Sequence, residues 1–237
     1  MKKKKEEKER ILNMEFLRQL EVFDPEKYSN KRIEVIGVGA VGSYIVWFLT
    51  KVGFTNIHIR DHDYVEKVNL PNQCLLLEHY HERQKLPKVM AVADMVKRGS
   101  GITLNTNQKE VVGPEKFGEI VFLAVDKMTV RKKIWEESLK YKLPVRCVIE
   151  ARMGGDQGRV YTINPCKPSH IDNWEKSLCL DEEAEVSLCG SSISIATTAA
   201  LIADIAVWQL QKWVSGQEVE NEVIISTRPW AIISRTF

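Results

Sequence analysis

The sequence predicts an α/β chain: a doubly wound (Rossmann-like), mainly parallel sheet with an antiparallel C-terminal extension. Three observations point there. Short apolar runs recur at Ile33–Gly37, Glu119–Val125 and Pro144–Glu150, the kind that forms strands buried on both faces. Stretches with apolar residues at helical spacing separate them, so strand and helix alternate over roughly residues 33–150. The first strand–helix junction carries three glycines, Gly37, Gly39 and Gly42, as GxGxxG.

Each element has its own justification. In residues 5–20, Ile11, Met14, Leu17 and Leu20 recur three apart, which predicts a short amphipathic helix broken at Asp24-Pro25. After the first strand, Ser43–Lys51 places Ile45, Val46, Phe48 and Leu49 on one helix face, with Gly53 as its C-cap. Asn56–Arg60 alternates as a second strand, and residues 62–83 are polar and irregular. Pro87 opens a helix whose inner face is Val89, Ala93 and Val96. Ile102–Asn105 and Glu110–Val112 read as strand pieces, and a helix is expected from about Thr129 to Lys140. From Ala151 the pattern changes to extended segments around a Gly/Asp turn, an antiparallel hairpin within Arg152–Tyr161. Residues 165–190 are polar without clear periodicity and read as a functional loop. A helix near 193–213 and strands near Glu222–Ser226 and Trp230–Ser234 complete the chain. The organisation is an N-terminal helical arm (1–30) and one domain (31–237), with its core at 31–150 and the antiparallel extension at 151–237.

Composition excludes whole classes. The chain has 237 residues, 44% hydrophobic and 28% charged, enough to bury a core without staples. That rules out a disulfide miniprotein, a collagen-like chain and a wholly disordered one. Lys+Arg at 34 against Asp+Glu at 32 leaves a net charge of +2, which argues against a nucleic-acid binder. The most apolar stretch, Ile193–Leu210, is interrupted by Asp204 and falls short of the ~20 apolar residues of a membrane span. The basic start MKKKKEEKER is followed by acids rather than an apolar signal region. Cys74, Cys147, Cys166, Cys179 and Cys189 are odd in number and contain no CxxC. A disulfide framework or four-cysteine zinc site is not expected, and a reducing compartment, the cytoplasm, is.

The glycine loop carries the chemistry. Its first glycine permits the tight turn, its second lets backbone approach a phosphate, and its third lets helix pack on strand. The helix N-terminus adds unpaired N–H groups and partial positive charge, which favour an anion. Asp61 ends the second strand about 20 residues on, where a carboxylate can accept from both hydroxyls of a ribose. This much fits NAD, FAD or ATP equally. Beyond it come Asp63 and Val65, then Asn69-Leu70-Pro71-Asn72-Gln73, then Lys88 at the head of a helix, and a strand ending at Asp126 followed by a helix carrying Arg131.

As an ordered set, these residues resemble the ubiquitin-activating-enzyme-like superfamily, the ThiF/MoeB/HesA family, whose pattern is GxGxxG, DxDxVxxSNLxRQ, a helix-borne Lys and a strand ending in Asp. The resemblance covers residues 14–150 firmly and 188–213 loosely. It implies an adenylyltransferase that uses ATP and Mg²⁺ to activate the C-terminal carboxylate of a ubiquitin-like or sulfur-carrier protein or peptide. By the same resemblance Asp61 holds the ribose, Asn69 and Lys88 contact phosphates, Asp63 and Gln73 complete the nucleotide set, and Asp126 binds Mg²⁺. It also implies a homodimer, in which Arg18 reaches the partner's ATP, and it offers Cys189 as a nucleophile for thioester transfer. Cys166 and Cys179 are lesser candidates for that step. The sequence departs from the pattern at Asn72, where the family has arginine; Arg60 or His62 are the candidates to restore that charge. Lys127 stands where asparagine is frequent, and the family's paired zinc cysteines are missing, so no structural zinc is expected. Two alternatives stay open: an NAD(P)- or FAD-dependent oxidoreductase, and a non-catalytic partner subunit.

Overall fold

The computed structural model describes residues 14–179 and 193–237. Eight strands form one sheet: β1 (Ile33–Ile36), β2 (Ile57–Arg60), β3 (Asn105–Asn107), β4 (Ile120–Leu123), β5 (Cys147–Gly154), β6 (Gln157–Ile163), β7 (Glu222–Thr227) and β8 (Trp230–Arg235). Their order across the sheet is β3-β2-β1-β4-β5-β6-β7-β8. Every pair from β3 to β5 is parallel, and every pair from β5 to β8 is antiparallel. The helices are α1 (Ala40–Lys51), α2 (Lys88–Ser100), α3 (Met128–Ile134, continued by one π-turn over Trp135–Leu139), α4 (Pro168–Lys176) and α5 (Ala196–Val214).

The apolar runs become the centre of the sheet because both faces are covered. Ile33 and Val35 of β1 and all four residues of β4 have no exposed surface. On one face α1, α2 and α5 contribute Ile45, Leu49, Val92, Val96, Ala203, Ala206 and Leu210 to the larger core. On the other, Trp135 and Leu139 of the π-turn and Trp174 of α4 pack against Val121, Leu123 and Val148. The rings of Trp135 and Trp174 lie 4.3 Å apart between centroids. No helix among the described residues is long and apolar enough to cross a membrane.

Three expectations need correction. Of the helix expected over residues 5–20, residues 5–13 lie outside the described residues, and residues 14–22 form hydrogen-bonded turns, held by Gln19 N to Phe16 O (3.0 Å) and Phe23 N to Gln19 O (2.7 Å). The arm is governed by Phe23 burying against Phe54 and Tyr28, which overrides the three-residue periodicity. The polar 165–190 stretch contains helix α4: Pro168 stands at its start, and Ile171 and Trp174, three apart, bury one stripe. The third strand is Asn105–Asn107, and residues 110–112 form no strand. The hairpin is confirmed as β5–β6, turning at Gly155 with φ 57°.

Candidate functional site

The strand order reverses at β1, which lies between β2 and β4, so the crevice at the carboxyl ends of these strands is the switch point where open α/β sheets bind ligands. Three predicted elements leave the sheet there. The register pairs Ile36 with both Arg60 and Leu123, so the glycine loop, Asp61 and the Ala124–Asp126 segment emerge side by side.

Sterics explain the glycines. Gly37 adopts φ 87°, and a Cβ there would sit 2.7 Å from Ala124 O. A Cβ on Gly42 would sit 2.0 Å from Gly37 O, so the loop closes on α1 only without a side chain. Gly39 differs: a Cβ there meets nothing within 4 Å among the described residues. Among the described residues the space over the N-terminus of α1 is therefore open, and no side chain caps the first amides of that helix. Open amides beside open space fit a phosphate.

Asp61 braces this loop. Its Oδ2 accepts from Val38 N at 2.8 Å and its Oδ1 from Asp63 N at 2.9 Å, which leaves lone pairs on both oxygens for ribose hydroxyls. Lys88, 25 positions after Asp63, comes to 2.8 Å from Asp63 Oδ2. The approach is built by backbone: Lys88 N donates to Asp63 O, and Tyr64 bridges Pro87. Partial burial pushes the Asp63 carboxyl upward, but its hydrogen bond with Lys88 and the charges of Lys88, His62 and Lys127 outweigh that and hold it below its ordinary range. Asp61, His62 and Asp63 also cluster their potential ligand atoms within 4.8 Å of one another, a group that does not include Asp126. Asp126 is exposed, and its Oδ1 accepts from Lys127 N at 2.8 Å. It offers a hard oxygen of the kind magnesium takes.

The remaining expected residues divide. Asn69 spends its side-chain carbonyl on Glu66 N (2.9 Å), capping a short 3-10 turn. Gln73 is buried, with Oε1 lacking a hydrogen-bond partner among the described residues. Asn72 turns to Ser194, donating to its Oγ at 2.5 Å. Arg60 does not restore the missing charge, because Glu34 and Glu115 each hold it at 3.3 Å. His62 sits 3.3 Å from Asp63. Arg18 lines a hollow of about 320 Å³ with Phe48, Lys51 and Trp208, at the end of α1 opposite the glycine loop. Twelve residues of helix span about 18 Å, so Arg18 does not join its own chain's loop.

Among the cysteines, Cys147 is buried and its thiol pushed far up by burial, and half-buried Cys74 is pushed up to about 11 for the same reason. Cys166 and Cys179 are exposed. Cys189 and the acidic run 181–185 lie outside the described residues. His79 is a structural residue rather than a ligand: Leu76 N donates to its Nδ1 (3.1 Å), and Nε2 faces Asp94 (3.1 Å).

Beneath the site lies a buried ionic knot that the sequence did not announce. Glu150 has no exposed surface and accepts from Arg131, from Arg152 Nε at 2.7 Å and from Trp174 Nε1 at 2.7 Å. Arg131 also donates to Val125 O and to Ala151 O (3.1 Å), so it pins the segment that carries Asp126. Burial pushes Glu150 upward, but the charges of both arginines and the bonds from Arg152 and Trp174 bring it below the ordinary carboxylate range.

Fold and site together define a doubly wound α/β protein with an open glycine loop at its switch point. The chain belongs to the ThiF family, which it matches over residues 12–232. It is 22% identical over 206 residues to the sulfur carrier protein ThiS adenylyltransferase of Bacillus subtilis, covering 82% of this chain and 57% of that protein. Among solved structures it resembles E. coli MccB crystallised with ATP, with a TM-score of 0.66, 17% identity and coverage of 90% and 65% of the two chains. PaaA gives a TM-score of 0.67 at 17% identity, covering 89% of this chain and 74% of that one. The chain thus spans less than two thirds of the length of the ThiS adenylyltransferase and of MccB.

Proposed function

We propose that this chain is an ATP-dependent adenylyltransferase that activates the C-terminal carboxylate of a small ubiquitin-like or sulfur-carrier protein or a peptide. One observation carries the reading: the open glycine cradle, the ribose acid Asp61, the Lys88–Asp63 pair and Asp126 all meet at one switch point. The family membership supports it, as do a relative named for adenylating ThiS and a neighbour solved with an ATP analogue and MccA.

The chemistry sets the demands. An acceptor carboxylate oxygen bonds to the α-phosphorus, the α–β phosphoanhydride breaks, and pyrophosphate leaves. Anion meets anion, so the site must neutralise both and hold them in line. The amides of α1 and the Lys88 ammonium bind phosphate oxygens, and Asp61 orients the ribose. Asp126 would hold magnesium, which would supply Lewis-acid neutralisation there. An oxidoreductase reading leaves Lys88 and Asp126 without a task. The expected test result is ATP–pyrophosphate exchange that depends on Mg²⁺ and on an acceptor protein or peptide; tight NADH binding without exchange would sink the reading.

Gly39 separates cradle from scaffold. Gly39→Ala should keep the melting temperature and weaken ATP binding at least tenfold, about 1.4 kcal/mol. Gly42→Ala should lower both, because its Cβ would meet Gly37 O at 2.0 Å. Calorimetric titration alongside thermal melts checks this, and normal ATP binding by Gly39→Ala refutes the cradle.

Arg18 belongs to this proposal through a homodimer. It sits at the far end of α1 and can act only on a second copy's nucleotide. Arg18→Ala and Lys88→Ala chains, each inactive alone, should recover exchange when mixed, since one mixed site then has both residues. Absence of recovery removes Arg18 from the site. The unpaired thiols suit a cytoplasmic enzyme.

A further inference from the structure

A triphosphate brings several negative charges into the crevice, and the cations around it are mostly engaged. Lys88 is bonded to Asp63 at 2.8 Å, and His62 faces the same carboxyl at 3.3 Å. Arg60 is held by Glu34 and Glu115 on the strand side. Arg131 is buried against Glu150. Asn72 carries no charge, and its amide is committed to Ser194.

Lys127 is the exception. It leaves the carboxyl end of β4 directly after Asp126, beside the strand whose end becomes the glycine loop. It is exposed, and its ammonium forms no ion pair among the described residues. Its backbone N–H donates to Asp126 Oδ1 at 2.8 Å, which anchors the residue at the site. Its charge is felt at Asp63, the carboxyl that also receives Lys88. Two lysines therefore face one side of the crevice, Lys88 from the head of α2 and Lys127 from beyond the end of β4, and among the described residues only Lys88 has an ion-pair partner there.

We propose that Lys127 is a second cationic contact for the phosphate chain of the nucleotide, supplying from the end of β4 the positive charge that the turn at Asn72 lacks. The inference rests on the adenylyltransferase reading above and adds a specificity-determining residue to it. A flexible ammonium approaching from β4 differs in one respect from a guanidinium on the 69–73 turn: it presents a point charge without a fixed bidentate fork. Its contribution should follow the sign of the charge, not the shape of the side chain.

The test is direct binding of ATP and of AMP by titration calorimetry in EDTA, so that a metal at Asp126 plays no part. Lys127→Ala should weaken ATP binding about tenfold, which corresponds to about 1.4 kcal/mol, and AMP binding less than twofold. Lys127→Arg should bind ATP nearly as wild type does, and Lys127→Glu should bind it more weakly than Lys127→Ala. Lys88→Ala serves as the reference. If Lys88→Ala loses ATP affinity while all three Lys127 variants bind like wild type, the Lys127 contact is overturned and the nucleotide site stands. Equal losses for ATP and AMP also overturn it. If the wild-type chain binds no ATP, the nucleotide reading itself fails and the Lys127 contact with it. Far-ultraviolet circular dichroism confirms that each variant at this exposed position is folded.

Discussion

On the proposed adenylyltransferase reading, Asp126→Ala is expected to lose nearly all ATP–pyrophosphate exchange while leaving the fold intact. The expected loss is on the order of a hundredfold to a thousandfold, the scale seen when one preorganised electrostatic contact to a reacting centre is removed. The structural reason for intact folding is local. Asp126 is exposed, and its hydrogen bond is to the amide of its own neighbour, Lys127, which water can satisfy after truncation. A surface substitution of this kind changes stability by about 0.5 kcal/mol or less. The segment is held from below instead, where Arg131 donates to Val125 O. Thermal melts and exchange assays on the same preparation decide the matter: surviving exchange would mean that Asp126 holds no metal at the reacting phosphate.

Glu150→Gln has its largest effect on stability. Glu150 is fully buried and answers two arginines and the Trp174 indole. Removing its charge leaves Arg131 and Arg152 facing each other without compensation, a loss of about 3–5 kcal/mol for a broken buried pair. In a chain of this size that lowers the melting temperature by on the order of 10 °C. The pH dependence follows from the same contacts. The folded-state pKa of Glu150 lies below its ordinary value of 4.5, so the unfolded chain takes up a proton first as pH falls. The stabilisation is full above pH 4.5 and disappears as pH drops through the lower folded value. Wild type should lose stability across that acid window, and Glu150→Gln should be weaker at neutral pH and lose less on acidification. A variant within 1 kcal/mol of wild type at pH 7, by denaturant titration, rules out the knot as a stabilising unit.

The two predictions separate chemistry from scaffold, and they also mark what sequence reading reaches. Local signals were strong where a residue's role depends on its immediate neighbours. The glycine loop is legible because the turn, the close approach and the helix start all occur within six positions. Asp61 is legible because it ends a short alternating strand. Helix α4 was hidden because nine residues with only Ile171 and Trp174 buried give little periodicity inside a polar stretch, although Pro168 marked its start. The arm shows the opposite: a clean three-residue period predicts a helix, yet residues 14–22, the part of it that is described, form turns, since Phe23 packing against Phe54 sets their path.

Contacts between distant positions were not legible. Lys88 was recognised as a site residue, but its approach to Asp63 depends on the Tyr64–Pro87 bridge. Arg60 looked available from its place beside Asp61; its commitment to Glu34 and Glu115 exists only because β1 and β2 are paired and the 113–117 segment folds under them. Glu150 and Arg152 carry no motif, and Arg131 is legible only as a residue of the helix after Asp126, not as the partner of Glu150.

By itself, the sequence determined the fold class, the glycine turn at the switch point and which acids and lysine to look for beside it. Those follow from backbone sterics and from alternation of polarity, which act over a few residues. Tertiary structure alone decided which charges are spent and which remain for a ligand. A charge near neighbouring residues in sequence is worth little until the sheet brings its partner within about 3 Å, because Coulomb energy and hydrogen-bond geometry depend on distance in space. That is why Arg60 and Arg131 belong to the scaffold, while Lys127 stands beside Asp126 with no ion pair among the described residues.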